Sequence, residues 1–167
     1  MAKDNTLRPT DEAAVSQARD LIENAAFAAL GVLDPVTSGP SVTRIAVAPA
    51  PDGSPVTLIS SLSGHTAALR SDPRCSLLLG EPGAKGDPLT HPRLTLQCRA
   101  VFLDRDGAAH TEMRSHYLAA RPKAKLYVDF ADFQFVRFEI TQGFMNGGFG
   151  KAYVFAVSDL ASARAPQ

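Results

Sequence analysis

The apolar positions of this chain follow two spacings, one typical of a helix and one typical of strands. Near the N-terminus apolar residues recur at near-helical spacing, and Thr10 can cap a helix that begins at Asp11. From residue 27 onward, short apolar runs and period-two alternation predominate between Asp-Gly, Asp-Pro and Gly-Pro turn signals. The helical positions are Val15, Ala18, Ile22 and Ala25.

The strand pattern covers most of the chain. It predicts strands at residues 27–33, 42–49, 55–60, 76–79, 94–103 and 133–141, with a short one at 153–155. Short helices are predicted at 65–70 and 111–121, and a further helical segment over 122–128. Because strands follow one another without a βαβ rhythm, the sequence favours a mainly β (α+β) fold, a small antiparallel barrel with peripheral helices.

Length and composition narrow the class of protein. The 167 residues fit one domain, 1–167, of which 1–9 and 161–167 are expected to fray. Lys plus Arg and Asp plus Glu both number 17, so no net charge draws the chain to nucleic acid or a membrane surface, and neutrality favours self-association. No signal peptide or membrane span is evident, which predicts a cytoplasmic protein. Cys75 and Cys98 lie in apolar runs and are expected to be buried free thiols.

The stretch 60–66 is the most informative for function, because it ends a strand and begins a helix. A helix start offers unpaired backbone N–H groups and the positive end of the helix dipole. The stretch therefore predicts a turn that binds phosphate. The alternative is that Ser63 simply caps the helix, as in many helices that bind no ligand. The side chains that add donors to this turn include Ser60, Ser61, His65 and Thr66.

A mid-strand arginine strengthens the phosphate prediction. Arg44 is flanked by apolar residues, where a fully buried and unpaired charge would be costly. Its strand is expected to pair with the strand that ends at Ser60, which would bring the guanidinium near the serine-rich turn. An arginine, hydroxyls and a helix start together form a site for a dianion. The alternative is an edge-strand arginine that faces water.

The other polar residues give weaker evidence for a functional site. His65 is the best candidate among the four histidines, since His110 and His116 are six residues apart and poorly spaced for a shared metal. No metal site, nucleophile elbow or Walker loop is predicted, and no catalytic residue is nominated. Asp129 and Asp132 are candidates for a carboxylate pair, although such residues more often cap turns.

Four motifs in order resemble the FMN-binding split-barrel superfamily typified by pyridoxamine 5′-phosphate oxidase, and within it the haem-utilisation, HugZ-like branch. The resemblance covers residues 10–157. The motifs are Thr-Arg-Ile-Ala-Val at 43–47, the stretch 58–69 followed by Asp-Pro and Ser-Leu, Gly-Asp-Pro-Leu at 86–89 with Pro-Arg-Leu-Thr-Leu at 92–96, and Tyr-Val-Asp-Phe at 127–130 with Gly-Gly-Phe-Gly at 147–150.

The resemblance implies a six-stranded split barrel and a homodimer with two FMN sites at its interface. In this family a strand arginine contacts the FMN phosphate beside the serine-rich turn, and a Lys or His precedes the small helix. A glutamine contacts the flavin, and the Gly-Gly-Phe-Gly loop is expected to reach the isoalloxazine from the partner subunit. The residues that fall on these positions are Arg44, Ser60, Ser61, His65, Thr66, Gln97, Gly148 and Phe149.

Two departures from the family pattern widen the functional prediction. The C-terminal Trp and Arg motif that grips pyridoxamine phosphate is absent, so vitamin B6 oxidation is not expected. Haem-degrading relatives use a histidine in a C-terminal extension, and no histidine follows His116. The main expectation is an FMN-dependent oxidoreductase of unknown substrate. The alternatives are a haem-binding or haem-degrading protein with His65 as iron ligand, and a non-catalytic module for flavin or the deazaflavin F420.

Overall fold

The computed structural model describes residues 9–148 and 150–160, so the expected frayed ends, residue 9 apart, lie outside the described residues. Two 3₁₀ turns lie at Pro88–Thr90 and Pro122–Leu126. The helices are α1 (Glu12–Glu23), α2 (Gly64–Ser71), α3 (Ala108–Ala120) and α4 (Val157–Leu160). The strands are β1 (Phe27–Leu33), β2 (Pro40–Ala46), β3 (Ala48–Pro49), β4 (Pro55–Ser60), β5 (Arg74–Leu79), β6 (Arg93–Phe102), β7 (Phe133–Asn146) and β8 (Ala152–Phe155).

The strands form one antiparallel sheet that closes on itself through a bent strand. Its order is β2-β1-β5-β6-β7-β4-β3, and β8 pairs with β7 outside this path. The two ends of the order, β2 and β3, are separated only by Val47, so they are halves of one strand. This strand pairs with β1 before the bend and with β4 after it. The predicted mainly β, six-stranded antiparallel barrel with peripheral helices is thus confirmed, with β8 as an addition.

Two apolar cores lie on either side of the barrel wall. Inward-facing strand residues, among them the fully buried Leu30 and Leu96, fill the interior together with α1 and α2. A second core lies between α3 and the outer face of β3, β4 and β7, where the Tyr117 ring meets the Phe135 ring edge-on at 5.4 Å. Each large apolar side chain buried in this way contributes about 1.5 to 3 kcal/mol to folding. The two cores hold the strands that position the site.

The outer face of β1, β2, β5, β6 and the end of β7 leaves apolar side chains exposed. Cross-strand register places these residues on one side of the sheet. A patch of this kind is typical of a surface that another molecule covers. We call it the open face, and its exposed apolar members are Phe27, Leu33, Val42, Leu78 and Phe144.

Several predicted boundaries differ from the structure. The first helix begins one residue later than expected because Asp11, not Thr10, is its cap and accepts the Ala14 N–H. The last long strand continues to residue 146, and the helical segment expected over 122–128 is a 3₁₀ turn. Both cysteines are buried and free, as predicted. Within the two described ranges, no helix combines the length and apolar character that a membrane crossing requires.

Candidate functional site

The turn between β4 and α2 is held by the loop that precedes β7. The Ser60 hydroxyl donates to the Asp132 carboxylate at 2.5 Å and accepts the Leu62 N–H. The Ser61 N–H donates to the backbone carbonyl of Asp132. The hydroxyl of Thr66, which is 2% exposed, donates to the Ser60 carbonyl. The hydroxyls of Ser60 and Thr66, expected to face a phosphate, therefore have partners within the protein.

The start of α2 keeps unpaired donors. Ser63 occupies the N-cap position, but its side chain makes no capping hydrogen bond. The N–H groups of Thr66 and Ala67 donate to the Ser63 carbonyl. The N–H groups of Gly64 and His65 have no hydrogen-bond acceptor in the described part of the chain. These two N–H groups lie at the positive end of the helix dipole, so they are available to a ligand.

His65 is tied to the neighbouring strand through one ring nitrogen. Its Nδ1 atom lies 3.1 Å from the Thr43 hydroxyl on β2. Its Nε2 atom is shielded from solvent and has no hydrogen-bond partner among the described residues. Burial lowers the pKa of His65, which favours the neutral imidazole at neutral pH. Depending on the tautomer, the free nitrogen can donate a hydrogen bond or bind a metal ion.

Arg44 lies on β2, where it pairs with Ala29 of β1. Only the β3 half of the bent strand, beyond Val47, pairs with β4, so the expected pairing of the Arg44 segment with the strand that ends at Ser60 is wrong. The guanidinium carbon, however, lies 5.2 Å from the centre of the Phe27 ring, a cation–π contact on the open face. The side chain is exposed, as the edge-strand alternative anticipated. β2 does approach the turn through the contact of Thr43 with His65, but the Arg44 charge lies over the Phe27 ring and not on the turn.

Gln97 lies on the open face, away from the turn. There it lines a groove of about 650 Å³ whose charged lining side chains are Arg74 and Arg99. Arg74 forms a bidentate ion pair with Asp72, and these hydrogen bonds lower the pKa of Asp72 to about 2. Gln97 is three strands from Arg44 in the sheet order. The groove that Gln97 lines also includes Val42 of β2, although Arg44 itself does not line it.

The Gly-Gly-Phe-Gly turn lies at the far end of β7, and its Phe149 is outside the described residues. Gly148 has a φ of +114°, and a Cβ there would lie 3.1 Å from the Thr90 carbonyl, so both conformation and space require glycine. Ser60 pairs with Phe133 at the opposite end of this 14-residue strand, roughly 40 Å away along an extended chain. Within one chain, Gly148 does not reach the turn.

The two aspartates considered as a carboxylate pair have different partners. Asp129 forms a bidentate ion pair with Arg114 at 2.6 Å, which lowers the pKa of Asp129. Asp132 instead holds the Ser60 turn. The structure supports the turn-fixing alternative for both aspartates, because each side chain holds a loop. Across residues 9–148 and 150–160, no cluster of three or more His, Cys, Asp or Glu is placed to hold a metal ion.

The fold and the order of these motifs match a known family. The family model described as pyridoxamine 5′-phosphate oxidase matches residues 14–147. The chain belongs to the pyridoxamine 5′-phosphate oxidase family. This result confirms the superfamily that the motifs indicated.

Relatives within and around this family carry haem in their names. The non-canonical heme oxygenase HOZ, chloroplastic, of Arabidopsis thaliana is 44% identical over 103 residues, which are 60% of this chain and 29% of HOZ. A heme binding protein from Mycobacterium smegmatis is 26% identical with a TM-score of 0.80, over 92% of this chain and 61% of that chain. HutZ, the heme storage protein of Vibrio cholerae, is 18% identical with a TM-score of 0.69, over 82% and 94%, and shows the fold alone.

These similarities agree with the haem-utilisation, HugZ-like resemblance that the motifs indicated. The chain spans less than two thirds of the length of the first two relatives.

Sequence reasoning missed three residues that shape the site of this family member. Thr43 precedes Arg44 on the same strand and so points to the opposite face, and that alternation was the available signal for its contact with His65. Arg74 and Arg99 are cross-strand partners on the open face. Their common groove depends on strand pairing, for which the sequence offers no local signal.

Proposed function

We propose that this member of the pyridoxamine 5′-phosphate oxidase family binds haem, with the Nε2 atom of His65 as the iron ligand. The observation that carries the proposal is the unpartnered Nε2 atom on a ring whose other nitrogen contacts Thr43. Because burial lowers the pKa of His65, the ring is neutral at neutral pH, the form that binds iron. Histidine is a common protein ligand of haem iron.

The contact with Thr43 determines which nitrogen is available. When Nδ1–H donates to Thr43 Oγ1, the lone pair stays on Nε2, the arrangement usual for metal-bound histidines. The ring is then oriented by β2, the strand that also carries Arg44. Because Nε2 is shielded from solvent, neighbouring side chains must move aside when haem enters.

The named relatives support haem over other flat ligands. HOZ is a heme oxygenase by name, and the M. smegmatis protein is a heme binding protein by name. The match to the M. smegmatis protein covers 92% of this chain, so haem binding is the property we transfer. Oxygenase activity is not transferred, because this chain spans 29% of HOZ.

A second copy of the chain is proposed to cover the open face. Leu33, Val42 and Leu78 are 40%, 69% and 44% exposed there, next to the groove that Gln97 lines. Covering such side chains provides the apolar burial that stabilises homodimers. A homodimer would also supply Gly148 and Gln97 from the partner, since one chain keeps both away from His65.

FMN is the second candidate. Two observations favour it: the family match and the free N–H groups at the start of α2, which Thr43 and His65 link to β2, the strand that carries Arg44. An FMN phosphate bound there would require the Arg44 guanidinium to leave the Phe27 ring. An FMN-dependent oxidoreductase would follow from that mode of binding.

Titration of the purified full chain with haem and, separately, with FMN tests the proposal. We expect a saturable Soret band with haem in the unaltered protein and in His116→Ala, which alters another partly buried histidine. His65→Ala should lose most of the affinity. An unchanged Soret titration in His65→Ala would refute the ligand assignment. Absence of any Soret band, together with tight FMN binding that Arg44→Ala weakens, would favour the second candidate.

A further inference from the structure

A carboxylate stands at the turn where the family motif provides phosphate donors. The Asp132 carboxylate accepts the Ser60 hydroxyl at 2.5 Å, and its backbone carbonyl accepts the Ser61 N–H. None of the ion pairs found among the described residues includes Asp132. The turn therefore presents a negative charge that no direct ion pair compensates.

The nearby cationic groups have other partners. Arg105 packs on the same loop and donates to backbone carbonyls on both sides of Asp132. The Arg44 guanidinium lies over the Phe27 ring. His65 is neutral at neutral pH, since burial lowers its pKa. A ligand that approached this turn would first meet the field of a carboxylate.

We propose that Asp132 is a specificity-determining residue, whose carboxylate excludes phosphate-bearing ligands, FMN among them, from the entrance of α2. A phosphate that accepted the Ser60 hydroxyl would displace the Asp132 carboxylate from that hydrogen bond. The two anions would then lie on either side of the same hydroxyl group. Like charges at that separation repel strongly where water is partly excluded. Repulsion of the wrong ligand is a recognised source of specificity.

The inference deepens the proposed function and rests on it for the identity of the accepted ligand. Haem carries no phosphate, so it does not need to place a dianion beside Asp132. The hydrogen bonds of Ser60 and Thr66 can then hold the turn before His65 in place while the Asp132 carboxylate excludes FMN.

The test compares FMN with riboflavin, which differ only in the phosphate. Affinities of both are measured by flavin fluorescence quenching for the unaltered chain, Asp132→Asn and the matched control Asp129→Asn. Asparagine keeps the acceptor for the Ser60 hydroxyl but removes the charge. Asp129 is a carboxylate three residues away that pairs with Arg114 rather than with the turn. If Asp132→Asn fails to fold, as judged by circular dichroism, Asp132→Ser takes its place.

We expect Asp132→Asn to bind FMN at least about tenfold more tightly than the unaltered chain, a difference of about 1.4 kcal/mol. Riboflavin binding should stay within about twofold, whether weak or undetectable, and Asp129→Asn should match the unaltered chain for both ligands. No gain for FMN, or an equal gain for riboflavin or in Asp129→Asn, would overturn the inference.

Haem titration of the same samples separates the two proposals. If haem gives a Soret band but Asp132→Asn does not bind FMN more tightly, the role of Asp132 is refuted and haem binding stands. If Asp132→Asn binds FMN more tightly but haem gives no Soret band, haem binding is refuted and the role of Asp132 stands.

Discussion

The Thr43 hydroxyl on β2 lies 3.1 Å from the Nδ1 atom of His65 on α2. This contact joins the bent strand to the start of the small helix, two elements that are separated by the whole β3–β4 hairpin in sequence. It also fixes the ring whose other nitrogen is free. The proposed iron ligand is therefore oriented by a neighbouring hydroxyl.

Thr43→Val should weaken haem binding by about tenfold, because the ring loses the partner that sets its tautomer and orientation. The measurement is a Soret titration at fixed pH. Thr111→Val, which alters an exposed threonine on α3, serves as control and should bind haem like the unaltered chain. Equal affinities for all three proteins would show that Thr43 does not position the ligand.

Val42→Glu should break the proposed homodimer, because it places a charge in the middle of the open face. Val36→Glu is the matched control, since Val36 is also an apolar residue and is 89% exposed in a loop. Native mass spectrometry should find dimers for the unaltered chain and for Val36→Glu, and monomers for Val42→Glu. Dimers in all three proteins would show that the dimer interface does not lie on the open face.

Arg121→Ala should destabilise the barrel by about 1 to 3 kcal/mol. The guanidinium donates to the carbonyls of Val47, at the bend between β2 and β3, and of Ala25, just before β1. Its loss leaves both carbonyls without that donor. Urea unfolding measures the effect, and Lys123→Ala, an exposed neighbour, should change the free energy of unfolding by less than about 0.5 kcal/mol. Equal stabilities of the two variants would remove Arg121 from this role.

Tyr117 should make stability depend on pH above 10. Burial raises its pKa to about 12, from an ordinary value near 10. Because the folded-state pKa is the higher one, this contribution is complete below pH 10 and is lost as the pH rises towards 12. Its full size is on the order of 2 to 3 kcal/mol.

Tyr117→Phe provides the measurement. The substitution removes one hydroxyl and keeps the ring that packs against Phe135, so it should change stability at pH 7 by less than about 1 kcal/mol. Between pH 10 and 12 the variant should lose less stability than the unaltered chain in urea unfolding. Parallel pH profiles for the two proteins would show that Tyr117 does not titrate as proposed.

The barrel could be predicted because the alternation of apolar and polar residues within each strand indicates which side chains are buried. Along β1, for example, buried residues alternate with more exposed ones, and the same period-two pattern marks β5 and β6. The bend at Val47 was not visible, because the apolar alternation of 42–49 continues through it. The bend becomes apparent only when β1 and β4 are seen to pair with different halves of the strand.

The site was predicted less completely because its hydrogen bonds are long-range. Ser60 and Thr66 were identified by type and by position at a helix start, which are local features. Their hydrogen-bond partners are determined by tertiary structure. The Ser60 hydroxyl, for example, donates to Asp132, which is 72 residues away in sequence. Arg44 was placed on the correct strand, but its preference for the Phe27 ring depends on the pairing of β1 with β2.

Replacement of the proposed iron ligand by a chemically different one tests haem ligation by His65 most directly. Electron paramagnetic resonance of the ferric haem complex is recorded for the unaltered chain and for His65→Cys, in which a thiolate would take the place of imidazole. We predict a histidine-ligated spectrum in the first and a thiolate-ligated spectrum in the second. Identical spectra from both proteins would contradict ligation of haem iron by His65.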